Sequence, residues 1–174
     1  PGCTAADVEV VFTPLREKLQ TLLDAIMGSP NQPSNRFNEI EVPIDQQERF
    51  VRMVSERYGF VYTRGRLDTS THPFCGGSHC NDVRMTTRFH RDNFNDAMGS
   101  TMHETGHGLY EQGLLTENIG TPMGDAIALG IHESQSRMWE NQVGRSEAFW
   151  SWCGPLVRDH LGGEFSDMSD HEMY

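Results

Sequence analysis

At 174 residues the chain is long enough for one domain with a real core, and 36% apolar with 22% charged residues suits an ordinary soluble protein. The net charge of −11 argues against nucleic acid or an anionic membrane as partner, because both select basic surfaces. No apolar run approaches the roughly 20 residues that span a bilayer, and Pro1-Gly2-Cys3 is not the basic, apolar opening of a secretion signal.

The two ends carry an expectation of their own. A chain that starts without Met and stops at Asp170-His171-Glu172-Met173-Tyr174, where a new helix begins, reads as a piece of a longer protein. The cysteines Cys3, Cys75, Cys80 and Cys153 have no framework spacing. Cys75-Gly-Gly-Ser-His-Cys80 could clip a metal or close a disulfide loop, but reduced thiols of an intracellular protein are the expectation.

In chain order, Thr4-Ala-Ala-Asp7 has the form of a helix N-cap with an acid at the third position. Val8, Val11, Phe12, Leu15, Leu19, Leu22, Leu23 and Ile26 recur at helical spacing, with Pro14 expected to kink or break the run. Residues 28–35 form a loop by composition, and Pro43-Ile44-Asp45 opens a helix carrying Phe50, Val51, Val54 and Tyr58 up to Gly59. From Phe60 the period changes. Residues 65–74 read as extended, and 82–89 alternate: Val83, Met85, Thr87 and Phe89 on one face, Asp82, Arg84, Thr86 and Arg88 on the other. A free strand edge of this kind can align an extended peptide; covering the next helix is the plainer role.

Asp92 is placed to cap that helix, which runs through Phe94, Met98, Met102 and Leu109 to Gly113. Gly106 and Gly108 inside it cost about 1 kcal/mol each relative to alanine, so a neighbouring backbone is expected to pack close. After a loop at 114–121, Thr121-Pro122 reads as an N-cap with proline at the first helical position, opening a helix that continues to Gly144. Ser146 starts a further helix, disturbed at Gly154-Pro155. Its Phe149, Trp150 and Trp152 belong to a core or a subunit contact.

The chemistry sits in His103-Glu104-Thr105-Gly106-His107. Histidines four apart share a helix face. Both imidazoles can therefore meet one divalent metal ion, with Glu104 placed to take a proton from a metal-activated water, as in a zinc metallopeptidase. A catalytic zinc needs a third protein ligand and an open position. Glu111, one turn beyond His107, would stretch the ligands too far along one helix. His132 and Glu133, in the next helix, are adjacent and so about 100° apart, and only one can face the metal. Glu133 is favoured, because Gly130, Ser134 and Ser136 make its face small enough to approach the motif glycines. His132 is then an outer partner or a core histidine.

Taken together and in this order, Asp68-Thr-Ser-Thr-His-Pro-Phe74, Asp82-Val-Arg-Met-Thr-Thr-Arg88, the run from His103 to Gly113 and the run from Gly130 to Ser146 resemble the carboxypeptidase Taq family. The likeness covers essentially the whole chain. It implies a mainly α, gluzincin-like helical metallopeptidase core with a deep groove and a short antiparallel β-sheet before the metal-binding helix. The single domain would hold a helical scaffold at 1–59, the small sheet at 60–89, two metal-binding helices at 90–145 and a truncated C-terminal helix at 146–174.

The resemblance also implies a cytoplasmic homodimer that removes C-terminal residues from peptides with Zn2+, or Co2+ in its place. By position His103, His107 and Glu133 match its metal ligands and Glu104 its catalytic base. His72 and Arg84 match groove positions that bind or orient substrate. Arg137 and Glu140 match the family too. Structural roles compete for all four: His72 could cap a turn, Arg84 could pair with Asp82 or Asp68, and Arg137, one turn from Glu140, could pair with it. Family proteins extend beyond both ends of this chain. The alternatives are therefore a metal-binding piece that does not cut, or a zinc endo- or aminopeptidase.

Overall fold

Thr4 closes a capping box at the head of α1 (Ala5–Met27): its hydroxyl accepts from the Asp7 N–H, and the Asp7 carboxylate accepts from the Thr4 N–H at 2.8 Å. The computed structural model describes residues 2–174 and divides into two compact units, one ending at Ser34 and the other running Asn35–Tyr174. In the first unit α1 is continuous through Pro14, where the sequence suggests a kink or break. The apolar positions of α1, among them Phe12, Leu19 and Leu23, are exposed.

The second unit is mainly helical, as expected. It contains α2 (Arg36–Glu39), α3 (Ile44–Tyr58), β1 (Gly65–Thr69), β2 (Cys75–His79), β3 (Asp82–Thr87), α4 (Phe94–Gln112), α5 (Leu129–Arg137), α6 (Glu147–Leu161) and α7 (Asp170–Met173). Gly59 ends α3 with φ 108°, a backbone angle that favours glycine. Phe37 meets Trp150 edge-on at 5.2 Å and Phe165 at 5.6 Å in the core. Phe149 and Trp150 are buried there, while Trp152 is exposed and stacks against Tyr58. Among the described residues no helix is long and apolar enough to cross a membrane.

The sheet is mixed, which corrects the antiparallel expectation. Its order is β1-β3-β2, with β2 antiparallel to β3 and β1 parallel to it. Two successive chain reversals leave β1 and β3 pointing the same way, and β3 is inserted between its predecessors. Val83, Met85 and Thr87 are buried, as the alternation indicates, but so is Thr86. Its hydroxyl accepts from the Phe74 N–H at 3.0 Å and shares a 2.6 Å hydrogen bond with the Ser70 hydroxyl, which satisfies it away from water.

α4 is pinned to neighbouring segments at both ends. Near its start Arg88 grips Asp96 through two bonds of 2.7 and 2.8 Å. At its end the Gln112 amide accepts from the Val61 N–H at 2.9 Å and donates to the Val61 carbonyl at 3.0 Å. The cap is Asn93 rather than Asp92, its side-chain oxygen accepting from the Asp96 N–H at 3.1 Å.

Two further helix boundaries differ from expectation. The helix expected from Thr121 starts only at Leu129, and Pro122 opens no more than a single tight turn, Pro122–Gly124. The Thr121 hydroxyl points backwards, donating to the Asn118 carbonyl at 2.7 Å, and caps nothing ahead of it. α5 then runs on into a π-helical segment, Met138–Val143. α6 passes unbroken through Gly154-Pro155. Gly154, with no Cβ, leaves room for the Asp170 carboxylate, which pairs with Arg158 at 2.7 Å.

Candidate metal centre

A close approach of two helices in the second unit is made at a glycine of the His-Glu-x-x-His motif. A Cβ on Gly106 would stand 2.6 Å from Ser136 Cα and 2.7 Å from the Gln135 carbonyl oxygen, so α5 backbone lies directly on α4. Gly108 has a different reason: a Cβ there would meet the Phe60 ring at 2.8 Å. The small face of α5 that makes the contact is Ser136, which is fully buried; Gly130 faces open space.

That approach brings a carboxylate to the two imidazoles. Glu133 Oε2 lies 3.3 Å from His107 Nε2 and 3.7 Å from His103 Nε2. The candidate ligand atoms of His103, His107 and Glu133 are all within 4.8 Å of one another. A tetrahedral zinc-sized ion with ligands at about 2.0–2.1 Å needs its donors about 3.4 Å apart. Donor chemistry and spacing both fit a divalent metal ion.

Around these donors stand partners that fix them. His103 Nδ1 donates to Glu140 Oε2 at 2.8 Å. Arg137 bridges two carboxylates, from Nε to Glu133 Oε1 at 2.9 Å and from Nη1 to Glu140 Oε2 at 3.1 Å. His132 stacks on the His107 ring at 4.5 Å and its Nε2 bonds Glu111 at 2.7 Å, and neither residue is among the converging donors. The sequence places Glu140 in a motif shared with the family and one turn from Arg137, but does not show that it reaches His103. The available signal was its place seven residues beyond Glu133, two turns along the same face.

Burial sets the protonation of the group. Glu104 is 5% exposed, and its Oε2 has no hydrogen-bond partner among the described residues. Burial, reinforced by the negative charges of Glu133 and Glu140, pushes its carboxyl up to about 7. Burial, with His132 and His103 nearby, pulls His107 down to about 4, which keeps the ring neutral as ligation requires. For Glu133 burial opposes ionisation, but the Arg137 hydrogen bond and both imidazoles outweigh it and hold its carboxyl below the usual range.

The other sequence-derived positions stand outside the converging donors. His72 is exposed, and its carbonyl accepts from the Ser70 hydroxyl at 2.7 Å. Arg84 is exposed and holds Asp82 through two bonds of 3.0 and 2.8 Å, while Asp68 pairs with Arg66. Cys75 and the other described cysteines are free; burial pushes the Cys75 thiol up, with the charges of Glu104 and Glu111 adding to the effect.

The sequence pattern of the carboxypeptidase Taq (M32) metallopeptidases matches residues 1–174. The chain belongs to this family. It is 45% identical to thermostable carboxypeptidase 1 of Thermus thermophilus over 159 residues, which cover 91% of the chain and 31% of that protein. It is 40% identical to thermostable carboxypeptidase 1 of Pyrococcus furiosus over 162 residues, 92% of the chain and 32% of the relative. The crystal structure of an M32 carboxypeptidase from Deinococcus radiodurans R1 superposes with a TM-score of 0.92 at 41% identity, covering 99% of the chain and 35% of that structure. This M32 chain thus spans about a third of the length of the relatives it matches.

Proposed function

We propose that the chain carries the zinc centre of a metallo-carboxypeptidase, with His103, His107 and Glu133 as metal ligands and Glu104 as general base. The observation that carries the proposal is the convergence of two Nε2 atoms and one carboxylate oxygen, at 3.3 and 3.7 Å, beside a buried glutamate that is adjacent in sequence to His103. When bound, the ion supplies Lewis-acid polarisation of the scissile carbonyl and a lowered pKa for water.

The residues of the chain do the rest. Glu104 accepts the proton of the attacking water and delivers it to the leaving amine, so one C–O bond forms, one C–N bond breaks and the carboxylate is restored. Glu140 holds the His103 proton on Nδ1, which leaves the Nε2 lone pair free. A water attacks directly, so no Ser or Cys nucleophile is required. On the same proposal His72 and Arg84 bind or orient the peptide, as the motif resemblance implies, and Co2+ can replace Zn2+. A cytoplasmic homodimer belongs to the proposal too, on the family likeness alone.

The test is hydrolysis of N-blocked peptides. A carboxypeptidase trims them one residue at a time from the C-terminus, stops when a chelator is added and resumes with zinc. Internal cuts would mean an endopeptidase, and untouched peptide cut only after deblocking an aminopeptidase. A second reading follows from the chain spanning about a third of its relatives' length: a centre that binds metal but lacks the rest of its groove. About one ion per chain with no hydrolysis would decide for it.

A further inference from the structure

Arg137 lies on the exposed flank of α5, where a pair with a glutamate one turn away is ordinarily a solvated contact of little energetic weight. Its partners here make the difference, because both are tied to the candidate metal ligands. Nε donates to Glu133 Oε1 at 2.9 Å, and Nη1, on another edge of the guanidinium, donates to Glu140 Oε2 at 3.1 Å. Glu140 Oε2 also takes the His103 Nδ1 proton at 2.8 Å. The other oxygen of Glu133, Oε2, is turned to the imidazoles, at 3.3 Å from His107 and 3.7 Å from His103.

We infer that Arg137 is a positioning residue: by engaging Glu133 Oε1 it makes that carboxylate a one-oxygen ligand and keeps a coordination position open. The inference rests on the metal-centre proposal above. A carboxylate can ligate through one oxygen or through both, and a second oxygen would fill the position that water and substrate need. The guanidinium is permanently charged and planar, so it can hold two carboxylates in fixed directions at once. A lysine ammonium keeps the charge and loses that geometry. Arg145 provides the contrast, since it reaches only the far oxygen of Glu140, Oε1, at 3.4 Å.

The experiment loads the chain with Co2+ and reads its visible absorption spectrum and the number of light-atom ligands by X-ray absorption. The variants are Arg137→Met and Arg137→Lys, with Arg145→Met as control. Both Arg137 variants are expected to gain one ligand and to lose visible absorbance, because cobalt with more ligands absorbs more weakly. Arg145→Met is expected to keep the parent spectrum. An unchanged ligand number and spectrum in Arg137→Met overturns the inference. Should thermal unfolding of the metal-free protein show that Arg137→Met does not fold, Arg137→Lys decides by the same readout. A parent chain that takes up no cobalt overturns the metal centre itself and this inference with it. Uptake by the parent with unchanged variant spectra overturns only the role of Arg137.

Discussion

His103 and Glu140 share a 2.8 Å hydrogen bond from Nδ1 to Oε2, formed where α4 meets the π-helical segment that follows α5. An ionised carboxylate only accepts, so the bond fixes the proton on Nδ1 and leaves Nε2 facing Glu133 Oε2 at 3.7 Å. One continuous helical run thus supplies the group beyond each nitrogen of the same ring.

Truncating that support should weaken metal binding more than it weakens the fold. Glu140→Ala removes the acceptor for His103 and leaves Arg137 and Arg145 without their shared carboxylate. The expected loss in zinc affinity is about 10- to 100-fold, the usual effect of removing an outer partner of a ligating histidine. Competition against a chromophoric chelator measures it. An unchanged affinity would mean that the bond serves helix packing only.

Glu104→Gln keeps the size of the side chain and removes its capacity to take a proton. Metal uptake should remain near that of the parent, while peptide hydrolysis falls by about 10²- to 10⁴-fold, the span attributed to a positioned base. Elemental analysis beside a peptide assay separates the two effects. Loss of metal together with activity would assign Glu104 to holding the centre together instead of to proton transfer.

What the sequence made legible was local and periodic. Gly59, Gly113 and the His-Glu-x-x-His spacing mark α3 and α4 because a stop residue or a 3.6-residue period acts within one element. Glu133 emerged from the demand for a third ligand on a second helix. Strand order did not emerge, because alternation assigns faces and says nothing about which strand inserts between which. Nor does the sequence show that the Thr121 hydroxyl turns back to Asn118 instead of capping the chain ahead. The part of Glu140 depends on which helix its segment packs against, a non-local fact, and so does the approach of the Asp170 carboxylate to Gly154 in α6.

The Arg88–Asp96 pair gives stability a readable pH dependence. The Arg88 hydrogen bonds hold the Asp96 carboxyl below its ordinary value, against burial that pushes the other way. The folded value is therefore the lower one. The contribution is present above the unfolded value of about 3.9 and is lost as pH falls through the folded value, because over that window the unfolded chain binds more protons. Asp96→Asn should cost about 1 kcal/mol at neutral pH, where the pair is partly exposed. Urea unfolding of both proteins across the acid range should show the gap closing on acidification; a gap independent of pH would trace the cost to the amide's packing.

Two glycines of α4 should respond to alanine with opposite signs. Gly99 has nothing within 4 Å of where a Cβ would sit, so Gly99→Ala should stabilise by up to about 1 kcal/mol through helix propensity. Gly106→Ala gains the same propensity, but its Cβ would stand 2.6 Å from Ser136 Cα. Backbone atoms cannot rotate aside as a side chain can, so α5 must move, and overpacking of about 1–3 kcal/mol outweighs the propensity gain. Moving α5 also draws Glu133 away from His103 and His107, so zinc uptake should fall in Gly106→Ala and hold in Gly99→Ala. Denaturant midpoints and metal content of the two variants measure both effects. Equal stabilisation of both would mean that α5 is not seated on Gly106, and the carboxylate would then have no structural reason to reach the imidazoles.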